Sequence, residues 1–288
     1  MLNIPFKLGI ITDEVTQDIF EANAFACRHG LDCIEIRSLN DRSPFDFFDS
    51  DIDQIMQAAQ KYNLQICAVS APLFKCDFND IRTTETHIEK FEKCAIRANK
   101  MGAKYVRGFD FWESGVSLVE RVEKFIKIAE ICEKYDIICV LESDPAVHSS
   151  TPHKLAKLLK EINNQRIRAL FDPGNEVWVT EKASTDAYEV LKPYIAHIHV
   201  KDADIIDGKP DAVKVGTGIV DYPALFKRLI NDNYSGAVVL ETHYRKNIEL
   251  TEEQLKRPGG SVFSLGAYDA SEESMVELKK IINKALEG

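Results

Sequence analysis

The sequence has no apolar run that approaches the roughly 20 residues needed to span a bilayer. Residues 1–20 contain one lysine and three acidic residues, and they lack the basic and then apolar segments of a secretory signal. Lysine and arginine (36) are outnumbered by aspartate and glutamate (46), which leaves a net charge of −10. Since nonspecific nucleic-acid binding depends on cationic side chains that displace counterions, we expect a cytoplasmic protein with neither a membrane nor a nucleic acid as partner.

The seven cysteines are scattered, and no pair of them has the spacing of a zinc site. Cys33, Cys67 and Cys139 lie in apolar runs, where a reduced thiol packs as a small hydrophobic side chain. A glycine-rich phosphate loop is also missing, because Gly216-Thr217-Gly218 lacks a third glycine and does not stand between a first strand and its helix. We interpret the cysteines as structural and the glycine pair as a turn, and we expect no organic cofactor.

The chain is instead rich in short runs of valine and isoleucine that alternate with longer amphipathic stretches typical of helices. Eight runs have the character of strands: 7–12, 33–37, 65–70, 105–109, 137–141, 167–171, 195–200 and 237–240. Strands that alternate with helices pair in parallel, and a closed barrel of eight such units needs about 250 residues. The sequence therefore predicts one α/β domain, a (β/α)8 TIM barrel over residues 1–288, with an open doubly wound sheet as the alternative.

Helices are predicted over residues 51–62, 84–101, 117–135 and 221–232. Two helix starts are marked by a capping residue near a proline, in Ser150-Thr151-Pro152 and in Asp221-Tyr222-Pro223. The least regular segment is 244–271, where Pro258-Gly259-Gly260 interrupts any helix. We predict a long loop there that serves as a lid or as a subunit contact in a homo-oligomer, with a plain surface excursion as the alternative.

Four consecutive strands carry metal-binding side chains at their carboxyl ends, where parallel barrels have their active sites. These residues are Glu142, Asp172, His199 and Glu241. A single carboxylate at a strand end is usually a cap or an ion-pair partner, but ligands on neighbouring strands about 4.8 Å apart can converge on one ion. Three carboxylates so close would raise one another's pKa unless a cation neutralised them. We predict one divalent metal ion, with Mn²⁺ favoured and Mg²⁺, Co²⁺ or Zn²⁺ as alternatives.

These strand ends lie in motifs that resemble the xylose isomerase-like barrels, a family that includes sugar isomerases, ketose 3-epimerases, inosose dehydratase and the endonuclease IV group. The matching motifs are Leu141-Glu142, Phe171-Asp172-Pro173-Gly174-Asn175, His197-Ile198-His199-Val200-Lys201-Asp202, Gly216-Thr217-Gly218-Ile219-Val220-Asp221 and Leu240-Glu241-Thr242-His243. The resemblance implies that Glu142, Asp172, His199 and Glu241 hold the metal. It also implies that Glu142 and Glu241, on opposite sides of the substrate, form the acid/base pair.

The chain departs from the family at two places. Asn175 stands where ketose 3-epimerases have a substrate-contacting histidine, and the seventh strand continues as Lys201-Asp202 where those enzymes have Gly-Glu, which is closer to inosose dehydratase. The sequence also has too few suitably placed histidines for the three-zinc cluster of endonuclease IV. These departures weaken the match to one particular epimerisation and argue against a role in DNA repair.

Further polar and aromatic side chains are expected around the metal. His197 and His199 are two apart in a strand and should share the inner face, where His197 is interpreted as a hydrogen-bonded core residue or as a support for the ligands. Lys201 is expected to contact a substrate oxygen or to pair with a neighbouring carboxylate. The predicted substrate contacts are Lys201, Asn175, His243, Arg107, Glu35 and Trp112, and internal ion pairing is the alternative for Glu35 and Arg107.

The leading functional hypothesis is a metal-dependent isomerase or epimerase of a keto-sugar or related polyol, with proton transfer through an enediolate between Glu142 and Glu241. A dehydratase or lyase that uses the same site for elimination is the first alternative. A sugar-binding barrel without catalytic activity is the second. In all three cases the expected partner is a small polyhydroxylated molecule.

Overall fold

The computed structural model describes residues 4–184, 186–246, 248 and 250–287. Within these residues there are ten strands: β1 (Lys7–Ile11), β2 (Cys33–Ile36), β3 (Gln65–Leu73), β4 (Tyr105–Gly108), β5 (Ile138–Glu142), β6 (Ile167–Phe171), β7 (Ile195–Val200), β8 (Asp202–Ile206), β9 (Lys209–Val213) and β10 (Ala237–Leu240). Eight of them form a closed barrel in the order β1-β10-β7-β6-β5-β4-β3-β2. All neighbouring pairs are parallel, and β1 pairs with β10.

The predicted (β/α)8 barrel is thus confirmed, and the open sheet is wrong because an open sheet would leave β1 and β10 as unpaired edges. Each of the eight predicted strands is present, with small shifts at the ends. The largest shift is in β3, which continues past Ser70 to Leu73.

Helices cover the outside of the barrel. They are α1 (Ile19–Arg28), α2 (Asp49–Tyr62), α3 (Ile81–Lys100), α4 (Leu118–Lys134), α5 (Pro152–Ile162), α6 (Val177–Thr180), α7 (Ala187–Leu191), α8 (Tyr222–Asn231), α9 (Glu252–Lys256), α10 (Gly260–Phe263) and α11 (Ala267–Glu287). In the described part of the chain, no helix is long and apolar enough to cross a membrane.

The predicted helix starts are present as caps. The Thr151 side chain accepts a hydrogen bond from the Lys154 N–H at the start of α5, and Asp221 accepts one from the Ala224 N–H at the start of α8. In both helices the proline lies in the first turn, where its missing N–H costs no intrahelical hydrogen bond. All seven cysteines are free thiols, as expected for structural residues.

The β8–β9 hairpin was not predicted from the sequence. It follows β7 directly and turns at Asp207-Gly208, where both residues have positive φ. Asp-Gly is a common hairpin turn, so this dipeptide was the available signal. Asp202 at the start of the hairpin accepts hydrogen bonds from the N–H groups of Gly216 and Gly218 at 2.8 and 3.0 Å, which confirms that the glycine pair forms a turn.

The segment 244–271 is more ordered than the predicted loop, since it contains α9 and α10 and the first residues of α11. The break at Gly259-Gly260 is present, with φ of 138° and 82°. Asn247 and Glu249 of this predicted loop lie outside the described residues. Residues 256–261 cross to the loop after β2, where the Gly260 N–H donates to Ser38 Oγ at 2.9 Å. We call residues 256–261 the strap.

Candidate metal centre and active site

The four predicted metal ligands converge at the carboxyl end of the barrel. Glu142 is the last residue of β5, Asp172 follows β6, His199 lies in β7 and Glu241 follows β10. One ligand atom from each residue lies within 4.8 Å of the others, and all four side chains are buried. Neighbouring parallel strands place these side chains side by side, which is the arrangement that the sequence predicts.

The environment of His199 tests whether this cluster fits a cation. Its Nε2 lies 3.0 Å from Glu35 Oε2, so Nδ1 is the nitrogen that faces Glu241 Oε2 at 3.4 Å and Glu142 Oε1 at 3.8 Å. Nδ1 is buried and has no hydrogen-bond partner among the described residues. An imidazole held by a carboxylate on one nitrogen and open on the other is the usual form of a histidine ligand. The four residues therefore fit a divalent metal ion.

Glu35 lies beneath the cluster. Its Oε2 is 2.7 Å from His197 Nε2 and 3.0 Å from His199 Nε2, and Ser70 Oγ donates to its Oε1. Burial would raise the pKa of Glu35, but the two imidazoles lower it well below the ordinary value. Glu35 lines neither cavity at the barrel mouth. Glu35 thus forms the internal ion pair that was the alternative to a substrate contact, and it supports His199 because both of its oxygens are engaged inside the barrel.

Lys201 forms ion pairs with two members of the cluster. Its Nζ lies 2.8 Å from Asp172 Oδ2 and 3.0 Å from Glu241 Oε2. Burial opposes the charge of this ammonium group, but Asp172 and Glu241 raise the pKa of Lys201 above its ordinary value. The predicted pairing with a carboxylate is thus present. Lys201 also lines the cavity that opens above Glu142 and Glu241, which we call the catalytic cavity.

Two arginines neutralise the glutamates of the cluster. Arg107 Nη1 lies 3.0 Å from Glu142 Oε2, and Arg37 Nη1 lies 2.8 Å from Glu241 Oε1. Burial alone would raise the pKa of Glu142, but Arg107 and His199 lower it to about 2. The pKa of Glu241 is likewise held well below its usual value by Lys201, against the effect of burial. Both glutamates are therefore deprotonated at neutral pH.

Asp172 behaves differently from the two glutamates. Burial raises its pKa to about 7, and the charges of Glu241 and Glu142 add to the rise, although Lys201 opposes it. Its Oδ1 accepts the Gly174 N–H at 2.9 Å. Gly174 has no room for a side chain, since a Cβ there would lie 2.1 Å from the Lys201 carbonyl oxygen. This close approach fixes the turn that holds Asp172.

Asn175 and His243, two of the predicted substrate contacts, line the catalytic cavity. Asn175 Nδ2 donates to Glu142 Oε1 at 2.9 Å and to the Ser143 carbonyl at 3.0 Å, so it orients the Glu142 carboxylate. His243 Nε2 lies 3.5 Å from Glu241 Oε1. Burial lowers the pKa of His243 to about 3, which leaves the imidazole neutral.

Two adjoining cavities open at the barrel mouth. The catalytic cavity has a volume of about 360 Å³ and is lined by Glu142, Glu241, Asn175, Lys201 and His243, among others. A second cavity of about 600 Å³ lies on the side of the loops after β2 and β3. Trp112, a predicted substrate contact, lines this second cavity and not the catalytic one. Lys256 and Arg257 of the strap pack over its indole ring.

Two residues near the site were not predicted from the sequence. Asp13 and Glu14 follow β1 after one intervening residue and bind Arg37 at 3.0 and 2.8 Å, so inspection of every strand end would have found them. A second group of side chains is close enough together to hold a metal ion: Glu14, Glu241 and His243. The charge of Glu14 is already neutralised by Arg37 and Arg245.

Comparisons with known proteins agree with this architecture. The profile of the xylose isomerase-like TIM barrel family matches residues 24–259. A 3-dehydroshikimate dehydratase from Bacillus anthracis is 22% identical over 247 residues, which covers 78% of this chain and 86% of that protein. An inosose dehydratase from Clostridium perfringens is 25% identical over 156 residues, which covers 48% of this chain and 49% of that protein.

Solved structures share the fold at low sequence identity. The IolI protein with a bound zinc atom has a TM-score of 0.75 and 18% identity, covering 97% of this chain and 99% of that chain. The 3-keto-D-glucoside 4-epimerase YcjR from E. coli has a TM-score of 0.71 and 16% identity, covering 96% of this chain and 99% of that chain. Because the family profile matches most of this chain, the chain belongs to the xylose isomerase-like TIM barrel family.

Proposed function

We propose that this protein is a divalent-metal-dependent isomerase or epimerase that moves a proton beside the carbonyl of a keto-sugar or related polyol. The observation that carries the proposal is the convergence of Glu142 and Glu241 on one cavity. Both are buried and deprotonated, and both lie next to the open nitrogen of His199. Two carboxylates on different strands can exchange protons with opposite faces of one substrate carbon.

Glu142, Asp172, His199 and Glu241 would hold the metal ion. When bound, the ion would act as a Lewis acid that polarises the carbonyl and makes the neighbouring C–H more acidic. Mn²⁺ is the ion that we expect, with Mg²⁺, Co²⁺ or Zn²⁺ as alternatives, because three carboxylates and one imidazole suit all four. The zinc atom in the structurally similar IolI protein supports a metal in this fold.

Several side chains of the cavity would take part in the proton transfer. One of the two glutamates accepts the proton from the carbon next to the carbonyl and releases it to solvent after turnover. The other glutamate takes up a proton from solvent before turnover and gives it to the opposite face or to the neighbouring carbon. Lys201 and Arg107 line the cavity beside these glutamates and supply positive charge where negative charge develops on substrate oxygens. Asn175 keeps Glu142 oriented. Because both glutamates are at most 2% exposed, bulk water is kept from them.

Elimination is the second candidate, and the two dehydratases among the relatives favour it. The same glutamate would remove the proton from the carbon next to the carbonyl and pass it to the β-hydroxyl group, which would then leave as water. The product would be an unsaturated ketone. A barrel that only binds sugars is the remaining alternative, and it predicts binding without proton exchange.

The test is to incubate the metal-loaded protein with a panel of ketoses and inososes in deuterated buffer. We expect deuterium to enter the carbon next to the carbonyl, as seen by NMR and mass spectrometry. Isomerisation or epimerisation conserves the mass apart from deuterium, whereas elimination lowers it by one water. Binding of a substrate without any exchange would contradict both enzymatic candidates.

A further inference from the structure

The second cavity adjoins the catalytic cavity but plays no part in the proton transfer. The two share Lys75, Arg107, Phe109 and Pro258 in their walls. Pockets for small ligands usually measure about 300–1,000 Å³, so the catalytic cavity of about 360 Å³ is near the lower limit. A substrate confined to it would leave the larger neighbouring cavity, about 600 Å³, to solvent.

Unpaired hydrogen-bond donors lie in the walls of this second cavity. Arg107 lines both cavities and is only 5% exposed, yet its Nε has no hydrogen-bond partner among the described residues. The indole Nε1 of Trp112 is also buried and without a partner in the described part of the chain. Both nitrogens are enclosed by protein atoms and do not face the cavity, so a ligand is recognised by the exposed polar side chains of the wall.

The charges of the second cavity argue against an anionic group on this ligand. The lysines and arginines that line only this cavity already face carboxylates: Arg37 with Asp13 and Glu14, Arg42 with Asp51, Lys90 with Asp46, and Arg257 with Glu253. A phosphate or carboxylate group would require cations that are free to bind it. The cavity therefore lacks the main feature of an anion site.

Acceptors complete the lining. Asp41, Asp77 and Asp80 lie in the wall, and within the described residues none of them has a cationic partner within 4.0 Å. The hydroxyl groups of Ser43 and Thr83 also line the cavity, and they donate to Asp46 and Asp80. Asp41, Asp77 and Asp80 each accept a backbone N–H as well. Each carboxylate oxygen can accept more than one hydrogen bond, so acceptor capacity remains for sugar hydroxyl groups. This lining matches a polyhydroxylated unit without an anionic group.

We propose that the substrate is a glycoside or a similar two-unit compound, whose ketone-bearing unit enters the catalytic cavity and whose second, uncharged, hydroxyl-rich unit occupies the second cavity. This inference rests on the proposed function for the first unit only. The second unit would lie between the loop after β2, the start of α3 and residues 257–260, and would add contacts that a single sugar cannot make.

The first experiment compares a keto-disaccharide with the matching keto-monosaccharide on the metal-loaded protein. We expect kcat/KM for deuterium exchange to be at least about tenfold higher for the disaccharide, because the second unit adds hydrogen bonds to the polar side chains that line the second cavity. An equal or higher kcat/KM for the monosaccharide would overturn the inference. A higher kcat/KM for a monosaccharide phosphate than for the disaccharide would do the same.

Two variants of α3 localise the effect. Thr83→Tyr places a ring in the second cavity, whereas Thr86→Tyr places the same ring on an exposed part of the same helix, outside both cavities. We expect Thr83→Tyr to lower kcat/KM for the disaccharide about tenfold or more and to leave the monosaccharide unchanged. Thr86→Tyr should change neither. Equal losses for the two substrates in Thr83→Tyr would contradict the inference.

A binding measurement separates this inference from the proposed function. Saturation-transfer NMR with an uncharged disaccharide that lacks a ketone reports the second cavity without any chemistry. If no ketone undergoes exchange but Thr83→Tyr abolishes disaccharide binding, the proposed function fails and the second cavity stands as a sugar site. If no disaccharide binds, or if binding is unaffected by Thr83→Tyr, the inference fails whatever the exchange experiments show.

Discussion

Glu35 and His199 form a buried pair in which Glu35 Oε2 lies 3.0 Å from His199 Nε2. The pair turns Nδ1 of the imidazole toward Glu142 and Glu241. Carboxylates that hold a histidine ligand typically contribute about 10- to 100-fold in metal affinity. We therefore expect Glu35→Gln to weaken metal binding by about this factor, measured by competition with a chromophoric chelator.

The matched control for this prediction is Glu113→Gln, which changes an exposed glutamate. It should leave the metal affinity unchanged. Circular dichroism should show that both variants keep the fold. If Glu35→Gln and Glu35→Ala both bind the metal as tightly as the parent protein, Glu35 does not position His199.

Metal removal should lower the thermal stability of the protein. An ion that binds only the folded chain stabilises it by about 2.7 kcal/mol when its concentration is 100 times the dissociation constant. In a barrel of this size such a change shifts Tm by about 5–10 °C. Dialysis against a chelator and calorimetry test this, and elemental analysis should give about one ion per chain. Asp172→Asn and His199→Ala should make Tm independent of added metal.

Replacement of either acid/base residue should separate binding from turnover. Glu142→Gln and Glu241→Gln keep the shape of the side chain and one oxygen, but they remove the group that accepts the proton. Turnover should fall by about 100-fold or more, while calorimetry still detects substrate. For a two-face mechanism, one variant should lose deuterium wash-in, and the other should retain it without forming product. Full activity in both variants would exclude the mechanism.

The four candidate ligands were predictable because backbone topology alone places them. Once eight strands alternate with helices, the end of each strand must lie at the barrel mouth, whichever side chains surround it. Glu142, Asp172, His199 and Glu241 follow from this rule. The same rule applied to β1 would have given Asp13 and Glu14.

The partners of these ligands could not be predicted, because they come from distant parts of the chain. Arg37 and Glu241 are 204 residues apart, and Glu35 and His199 are 164 apart. Whether a polar residue near a strand end points into the cavity or beneath it depends on the tilt and register of its neighbours. β2 has a register shift against β3 between Ile34 and Glu35, the residue for which the sequence left a substrate contact and an internal ion pair as alternatives.

His87 should make stability depend on pH in a known direction. Burial lowers its pKa from 6.5 to about 4, and Lys90 and Arg257 add to the shift. Its Nδ1 accepts the Phe74 N–H at 2.9 Å, which requires the neutral ring. The folded state binds the His87 proton more weakly than the unfolded state does. The stabilisation of the fold by the neutral ring is therefore complete above about pH 6.5 and is lost as the pH falls toward 4.

The measurement for His87 is urea unfolding at about pH 7.5 and about pH 5. His87→Asn keeps an acceptor near Phe74 but cannot titrate. Between about pH 7.5 and about pH 5, the free energy of unfolding should fall by on the order of 1 kcal/mol more in the parent protein than in this variant, after allowance for partial exposure of the ring. Equal losses in the two proteins would show that His87 does not contribute to the pH dependence.

The strap should act on substrate binding through the backbone conformation of Gly260. This residue has a φ of 82°, and a Cβ there would lie 3.1 Å from Asp41 Oδ1, so Gly260→Ala is strained by about 1 kcal/mol or more. The strain should loosen the strap, whose Lys256 carbonyl accepts from Lys75 Nζ at 2.8 Å and whose Gly260 N–H binds Ser38. We expect faster limited proteolysis within 250–265 and a KM raised several-fold, with kcat little changed.

Gly115→Ala is the matched control, because its φ is ordinary and a Cβ there meets no atom within 4 Å. If Gly260→Ala and Gly115→Ala have the same KM and the same cleavage rate, and deletion of residues 254–264 alters neither KM nor the sedimentation coefficient, the strap is only a connection between β10 and α11.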